Sequence, residues 1–227
     1  MYEMIKEHKS KIFTASLLIA LGVVARLTLS EFLPSTPQIY ITLNGITQPI
    51  LSMDLFFVVA IVSILSGLLL KSYYVFLVPV AVLIITDIII GNNLIFLFTW
   101  SGFAIIGLIA YILKLKNKFT IQNLPTIFGA GIGSVLLYDL WTNFGSFLGW
   151  YPKTISGLTL CYTLAIPFTL WHILSTTVAM AVIVIPLVYI IENKNIKLDF
   201  SIKPFEKPIS ISLLLTIMVL SITFILI

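Results

Sequence analysis

Long apolar runs separated by short polar stretches dominate the pattern of this chain. Six runs reach or approach the roughly 20 residues needed to cross a hydrocarbon core: Ile12–Leu29, Leu55–Leu70, Tyr74–Ile90, Leu94–Leu113, Ile121–Leu140 and Ile209–Ile227. A further segment, Leu158–Ile191, is too long for one crossing and contains Pro167 and Pro186. The prolines predict a division into an interfacial or re-entrant piece, Leu158–Phe168, and a crossing from about Leu170 to Ile191. No alternating stretches of barrel-strand length occur, so helices are the expected spanning form. The expectation is an all-α, polytopic membrane helical bundle: a six-helix membrane domain over 1–192, a cytoplasmic linker over 193–208 containing Pro204 and Pro208, and a C-terminal transmembrane helix over 209–227.

Composition agrees with the pattern. The chain is 59% hydrophobic and 10% charged, whereas a soluble domain is closer to half apolar and a quarter charged. Its mean hydropathy is +1.13. The apolar run that begins at Ile12 is longer than a signal-peptide core, contains Arg26 and leads to no small-residue cleavage pattern, so a retained first helix is expected. The single Cys161 excludes an internal disulfide and a cysteine-built metal site. His8 and His172 form no metal-ligand spacing, and no metal or cofactor is expected.

The net charge of +4 is a matter of topology. Threading seven helices alternately puts every lysine except Lys153 on one side: Lys6, Lys9 and Lys11, Lys71, Lys114, Lys116 and Lys118, then Lys194, Lys197, Lys203 and Lys207. By the positive-inside rule that side is cytoplasmic, as is the N-terminus. The basic balance therefore requires no nucleic-acid partner; the expected surroundings are a lipid bilayer.

In this orientation the unusual residues gather in the outer leaflet. Arg26, Asp54, Asp87, Trp100, Asp139, Trp141, Asn143, Trp150, Tyr151, Trp171 and His172 all fall there, while the inner halves are plain Leu, Ile, Val, Ala and Gly. A pore or proton relay should carry polar groups through the full depth. Polar groups that stop partway predict an outward cup with an apolar floor. Asp139 and Asn143 are four apart and share a helix face. Together with Asp87 they are expected to line the cup, with Trp141, Trp150 and Tyr151 near its mouth and His172 beside it. Arg26 at that depth needs a counter-charge, and Asp87 is the expected one.

Plainer roles exist for several of these residues. Tryptophans and tyrosines populate the interfacial belt of any membrane protein. Asp54 is expected to cap helix two, and Glu31, Asn92 and Asn93 read as solvated loop residues. Small residues mark close helix contacts: Ser16 with Ala20 in the inner half of helix one, and Gly129 with Gly133 in helix five. No phosphate-binding glycine loop, HExxH or Gly-x-Ser-x-Gly occurs, and the chain is not expected to be an enzyme.

Three stretches carry a family resemblance: Ile85-Thr86-Asp87-Ile88-Ile89-Ile90-Gly91, Thr142-Asn143-Phe144-Gly145, and Tyr151-Pro152-Lys153-Thr154 continuing through Gly157-Leu158 and Cys161-Tyr162 to Ile166-Pro167-Phe168. Over roughly Ala15 to Glu192 the chain resembles an uncharacterised family of prokaryotic integral membrane proteins that is similar to the substrate-binding S components of energy-coupling-factor (ECF) vitamin transporters. The resemblance implies an S-component-like six-helix core, here with an added seventh helix, in the plasma membrane of a prokaryote. It implies a small-molecule substrate taken from outside and a membrane coupling subunit driven by ATPases. S components meet that subunit through a small-residue patch on helix one, and the matching place reads Ser16-x-x-x-Ala20. Two other classes compete: a membrane scaffold or assembly protein with an outer polar cluster, and an intramembrane enzyme using Asp139 and His172.

Overall fold

The computed structural model describes residues 2–33, 39–43, 46–70, 73–116, 120–193 and 206–226. Among these, the chain is a helical bundle with one β-hairpin. The helices are α1 (Tyr2–Ser30), α2 (Phe56–Leu69), α3 (Tyr74–Ile90), α4 (Phe96–Leu115), α5 (Leu124–Trp150), α6 (Ile155–Ala179), α7 (Ile185–Asn193) and α8 (Glu206–Leu226). A π-helical turn, Met180–Val184, joins α6 to α7 in one continuous rod. Four helical segments are long and apolar enough to cross a membrane: Ser10–Ser30, Phe96–Leu115, Ile121–Trp150 and Ile155–Asn193. Of the expected linker, residues 194–205 lie outside the described residues, with Lys194, Lys197 and Lys203; so do Lys71 and Lys118.

The rod 155–193 corrects the expected division of this segment. Pro167 sits inside α6, and no re-entrant piece forms. In hydrocarbon a broken turn has no water to satisfy its carbonyls, so a continuous helix is kept wherever neighbours can support it. The irregularity appears instead as the π turn just before Pro186. Helix α5 likewise continues past its expected end at Leu140. Tyr138, Asp139, Thr142 and Gly145 form a buried stripe at helical spacing. The helix stops only where Tyr151 takes an extended conformation before Pro152. Lys153 then donates to the carbonyls of Phe147 (2.8 Å) and Leu148, answering the unpaired acceptors of this helix end.

Strands β1 (Ile39–Leu43) and β2 (Ile46–Leu51) pair antiparallel. The hairpin was not expected from helix-length patterns, although the Asn44-Gly45 dipeptide between two apolar stretches is a strong hairpin signal. Strand β2 lies along α6, and the Ser52 N–H donates to the Pro167 carbonyl at 3.1 Å.

Helix α2 is the central rod. It touches α1, α3, α4 and α6, and this enclosure explains why it is apolar on every face. Its hydroxyls bond within the helix, Ser63 to the Val59 carbonyl (2.7 Å) and Ser66 to the Ser63 carbonyl (2.8 Å). Helices α4 and α5 interlock through glycine notches: the Tyr138 ring lies over Gly102, and the Phe98 ring over Gly145. Helix α8 packs on α4 and α5, with Phe224 against Phe96. Large apolar side chains such as Phe13, Leu21, Ile88, Leu164 and Val182 face outward, as a lipid-facing surface requires.

The length of α2 positions the site. Fourteen residues span about 21 Å at 1.5 Å per residue, while a hydrocarbon core is about 30 Å thick. The space above its first turn is left to side chains from the surrounding helices, and a cavity lies there.

Candidate functional site

The cavity measures about 480 Å³, within the usual range for small-molecule sites. Its polar residues are Arg26 from α1, Asp54 from the segment before α2, Asp87 from α3, Asn92 and Asn93 from the turn after it, and Thr99 from α4. One helical turn deeper the lining becomes apolar: Val59 on α2, Leu83 on α3 and Phe103 on α4, joined by Phe56 and Tyr138. The void beneath, among Ile64, Ile106, Ile127, Gly131 and Met180, is about 10 Å³, close to the lower limit for a single water. The site is thus a cup with an apolar floor.

Two polar clusters meet the cavity, one as its wall and one through Asp54 alone. In the first, Arg26 Nη1 donates to Asp87 Oδ1 at 2.6 Å and to the Thr86 hydroxyl. Asp87 Oδ2 accepts from Trp100 Nε1 at 2.9 Å and from Asn92 Nδ2 at 2.5 Å. Both carboxylate oxygens are therefore occupied, and the arginine has the counter-charge that its depth demands. The α3 helix can end beside this cluster because Gly91 takes φ +92°, a left-handed conformation that suits glycine.

In the second cluster, His172 bridges two carboxylates. Its Nδ1 lies 2.7 Å from Asp139 Oδ1, and its Nε2 lies 2.8 Å from Asp54 Oδ2. The imidazole stacks on Phe56, with ring centroids 4.0 Å apart. Asp54 also accepts the Phe56 N–H through Oδ1 at 3.0 Å; Leu55 holds the N-cap position, so the expected cap acts from one residue earlier, on the first N–H of α2. The row runs from the cavity inward: the Asp54 side chain is 39% exposed, while those of His172 and Asp139 are buried. Asp139 Oδ2 is buried with no hydrogen-bond partner among the described residues. Trp171 Nε1 donates to the Asp54 backbone carbonyl at 2.9 Å and fixes the cap to α6. Trp171→Phe should remove this bond together with part of the indole packing and lower stability by about 1 kcal/mol or more, measurable as a shifted denaturation midpoint. No shift would mean that the bond does not tie Asp54 to α6.

The structure distributes the expected site residues over several places. Arg26 and Asp87 are together at the cavity wall. Asp139 and His172 do not line the cavity; they lie one layer behind it and reach it through Asp54. The reason is angular: Tyr138 presents its ring to the cavity, and the next residue of a helix is turned by about 100°. Asn143 is likewise not a lining residue. Its backbone carbonyl accepts from the Cys161 thiol of α6 at 3.4 Å. Trp141 packs between α4 and α5, with Nε1 donating to the Ser101 hydroxyl at 2.8 Å and its ring against Phe98. Trp150 and Tyr151 close the far end of α5 and do not form the cavity mouth, because α5 runs on past the cavity. Ser16 and Ala20 are exposed on the outer face of α1, whose inner face carries Ala15, Leu18 and Gly22.

Other site residues were not expected. Asp54 does more than cap: it is the link between the cavity and His172. Asn92 and Asn93, which read as solvated loop, line the cavity. Phe56, Phe103 and Tyr138 form its aromatic floor, and nothing in the sequence separates them from other core aromatics. A signal for Asp54 was present, because an acid at the start of an unusually short apolar run sits where that helix leaves membrane depth unfilled.

Residues 6–198 match the profile of a family of unknown function (DUF6580), and the chain belongs to that family. No curated protein and no solved structure matches the chain.

Proposed function

We propose that this member of the family is a substrate-binding membrane subunit of an ECF-type importer, taking a small vitamin-like molecule from outside a prokaryotic cell. The observation that carries the reading is the cup, open at one end of the bundle and floored by Val59, Leu83 and Phe103. A floor of this kind suits capture better than conduction, since a conducting path needs polar groups through its whole depth. The N-terminus is then cytoplasmic and the cup faces outward, as the lysine distribution requires.

An intramembrane enzyme is less well supported. Both ring nitrogens of His172 are taken by carboxylates, which leaves neither to activate a nucleophile. A scaffold protein would need no internal volume of this size.

The proposed coupling partner, a membrane subunit with its ATPases, would approach α1. Ser16 and Ala20 face outward there among Phe13, Leu17, Leu21 and Val24, and small residues allow close helix approach. The test is growth of cells auxotrophic for individual water-soluble vitamins, expressing this chain with a coupling module at limiting vitamin. Rescue for one vitamin is the expected result, and rescue for none despite membrane insertion would overturn the reading. The double replacement Ser16→Leu with Ala20→Leu should abolish rescue while the purified protein still binds the same vitamin. Unchanged rescue would remove α1 as the docking helix.

A further inference from the structure

We infer that the cup takes a small organic cation, its positive charge held against Asp54 and its body against Phe56, Phe103 and Tyr138. This rests on the reading of the cup as a binding site and adds the chemical class of what is bound. The charges of every element that faces the cavity do not balance. Helix α1 contributes Arg26, the segment before α2 contributes Asp54, and α3 contributes Asp87. The turn after α3 and the start of α4 contribute the neutral Asn92, Asn93 and Thr99. Asp139 of α5 and His172 of α6 stand behind Asp54.

Arg26 and Asp87 neutralise each other at 2.6 Å. What remains is two carboxylates and one imidazole. With a proton on each ring nitrogen the row carries one negative charge in excess; with a single ring proton it carries two. The inner end of the row is buried, and Asp139 Oδ2 there has no hydrogen-bond partner among the described residues. An unbalanced charge at such depth is costly, and a ligand of opposite sign relieves it. Only the Asp54 end of the row opens to the cavity. Each carboxylate oxygen offers about two acceptor sites, so Asp54 can hold Phe56 N–H and His172 and still accept from a ligand.

The rest of the lining selects among cations. Phe56, Phe103 and Tyr138 line the cavity, and aromatic rings attract an organic cation better than aliphatic side chains do. A metal ion would need several oxygen or nitrogen ligands, and among the described residues no group of three or more His, Cys, Asp or Glu side chains is placed to hold one. An anion is disfavoured, because the charge of Arg26 is already balanced by Asp87 at 2.6 Å and the remaining charged group of the lining is the Asp54 carboxylate.

The experiment uses the full chain in phosphatidylcholine nanodiscs and three matched probe sets. Each set has a phenethyl, a 4-hydroxyphenethyl and an indolylethyl body, with an ammonium, a hydroxyl or a carboxylate head. Binding is read by calorimetry and by thermal shift. The ammonium set should bind at least tenfold more tightly than its hydroxyl counterparts, and Asp54→Asn should close that gap. Because Asp54 also caps α2, Asp139→Asn is the companion variant. It lies behind the cavity lining, lowers the excess of the row by one charge and should narrow the gap as well. Hydroxyl or carboxylate heads binding as well as ammonium would overturn the cation and leave the cup as a binding site. A gap that survives in both variants would also overturn it. Binding by no member of any set would overturn both the cation and the binding reading.

Discussion

Arg26→Met should destabilise the folded protein by about 3 kcal/mol or more, the usual loss when one partner of a buried ion pair is removed. The Asp87 side chain is 7% exposed, so water entering from the cup would replace the guanidinium only in part. Trp100 and Asn92 would still donate to Oδ2, but no positive charge would remain beside the carboxylate. Thr86, whose hydroxyl already donates to the Val82 carbonyl at 2.8 Å, cannot supply one. The decisive measurement is a double-mutant cycle with Asp87→Asn, followed by denaturant unfolding in one detergent. The double variant should be more stable than the sum of the single losses predicts, because removing both charges leaves no uncompensated ion. Strict additivity would mean that the pair is two independent polar contacts. The cycle also bears on the cup, since Arg26 and Asp87 form its wall: a stable double variant would provide a neutral wall for binding measurements.

This pair was legible in the sequence because a single physical demand fixes it. An arginine inside an apolar run needs an acid at the same depth, and alternate threading of the helices brings Asp87 there. Asp139 was legible as an anomaly, and its association with His172 only within the rival enzyme reading. Its partner His172 lies in a segment whose prolines suggested a break, and only the continuous rod 155–193 carries that ring to the level of Tyr138. The same limit applies to Asn143, Trp141, Trp150 and Tyr151. Their polar or aromatic character marks one half of the bundle correctly, but which of them faces a cavity depends on helix rotation. In a helix surrounded by protein on one side and lipid on the other, apolar periodicity reports rotation poorly, because both environments accept leucine. The hairpin was missed for a different reason: its strands are far shorter than any membrane-crossing segment.

Glycines show the same division, and they give the prediction with the sharpest contrast. The four-residue spacing of Gly129 and Gly133 marks them as a close helix contact in the sequence. In the structure a Cβ at either position meets nothing within 4 Å, and the close approaches on this helix are made by Gly131 against Met180 and by Gly145 against Phe98. The tightest helix–helix contact involves glycines that form no motif within one helix. A Cβ on Gly67 of α2 would lie 2.3 Å from the Gly107 carbonyl oxygen and 2.8 Å from the Tyr111 nitrogen, both on α4. These are backbone atoms, so no rotamer change can relieve the overlap. Even one added carbon forces α2 away from α4 and loosens the central rod under the cup. Gly67→Ala should therefore destabilise by about 3 kcal/mol, the upper part of the usual range for an overpacked core, and binding at the cup should weaken with it. Gly129→Ala should do the opposite. Its Cβ enters open space, and alanine is the better helix former by about 1 kcal/mol. Unfolding midpoints of the two variants should move in opposite directions from the parent. Equal shifts would mean that α2 and α4 are not in backbone contact at Gly67 and Gly107, and the packing that leaves the cup above α2 would have to be redrawn.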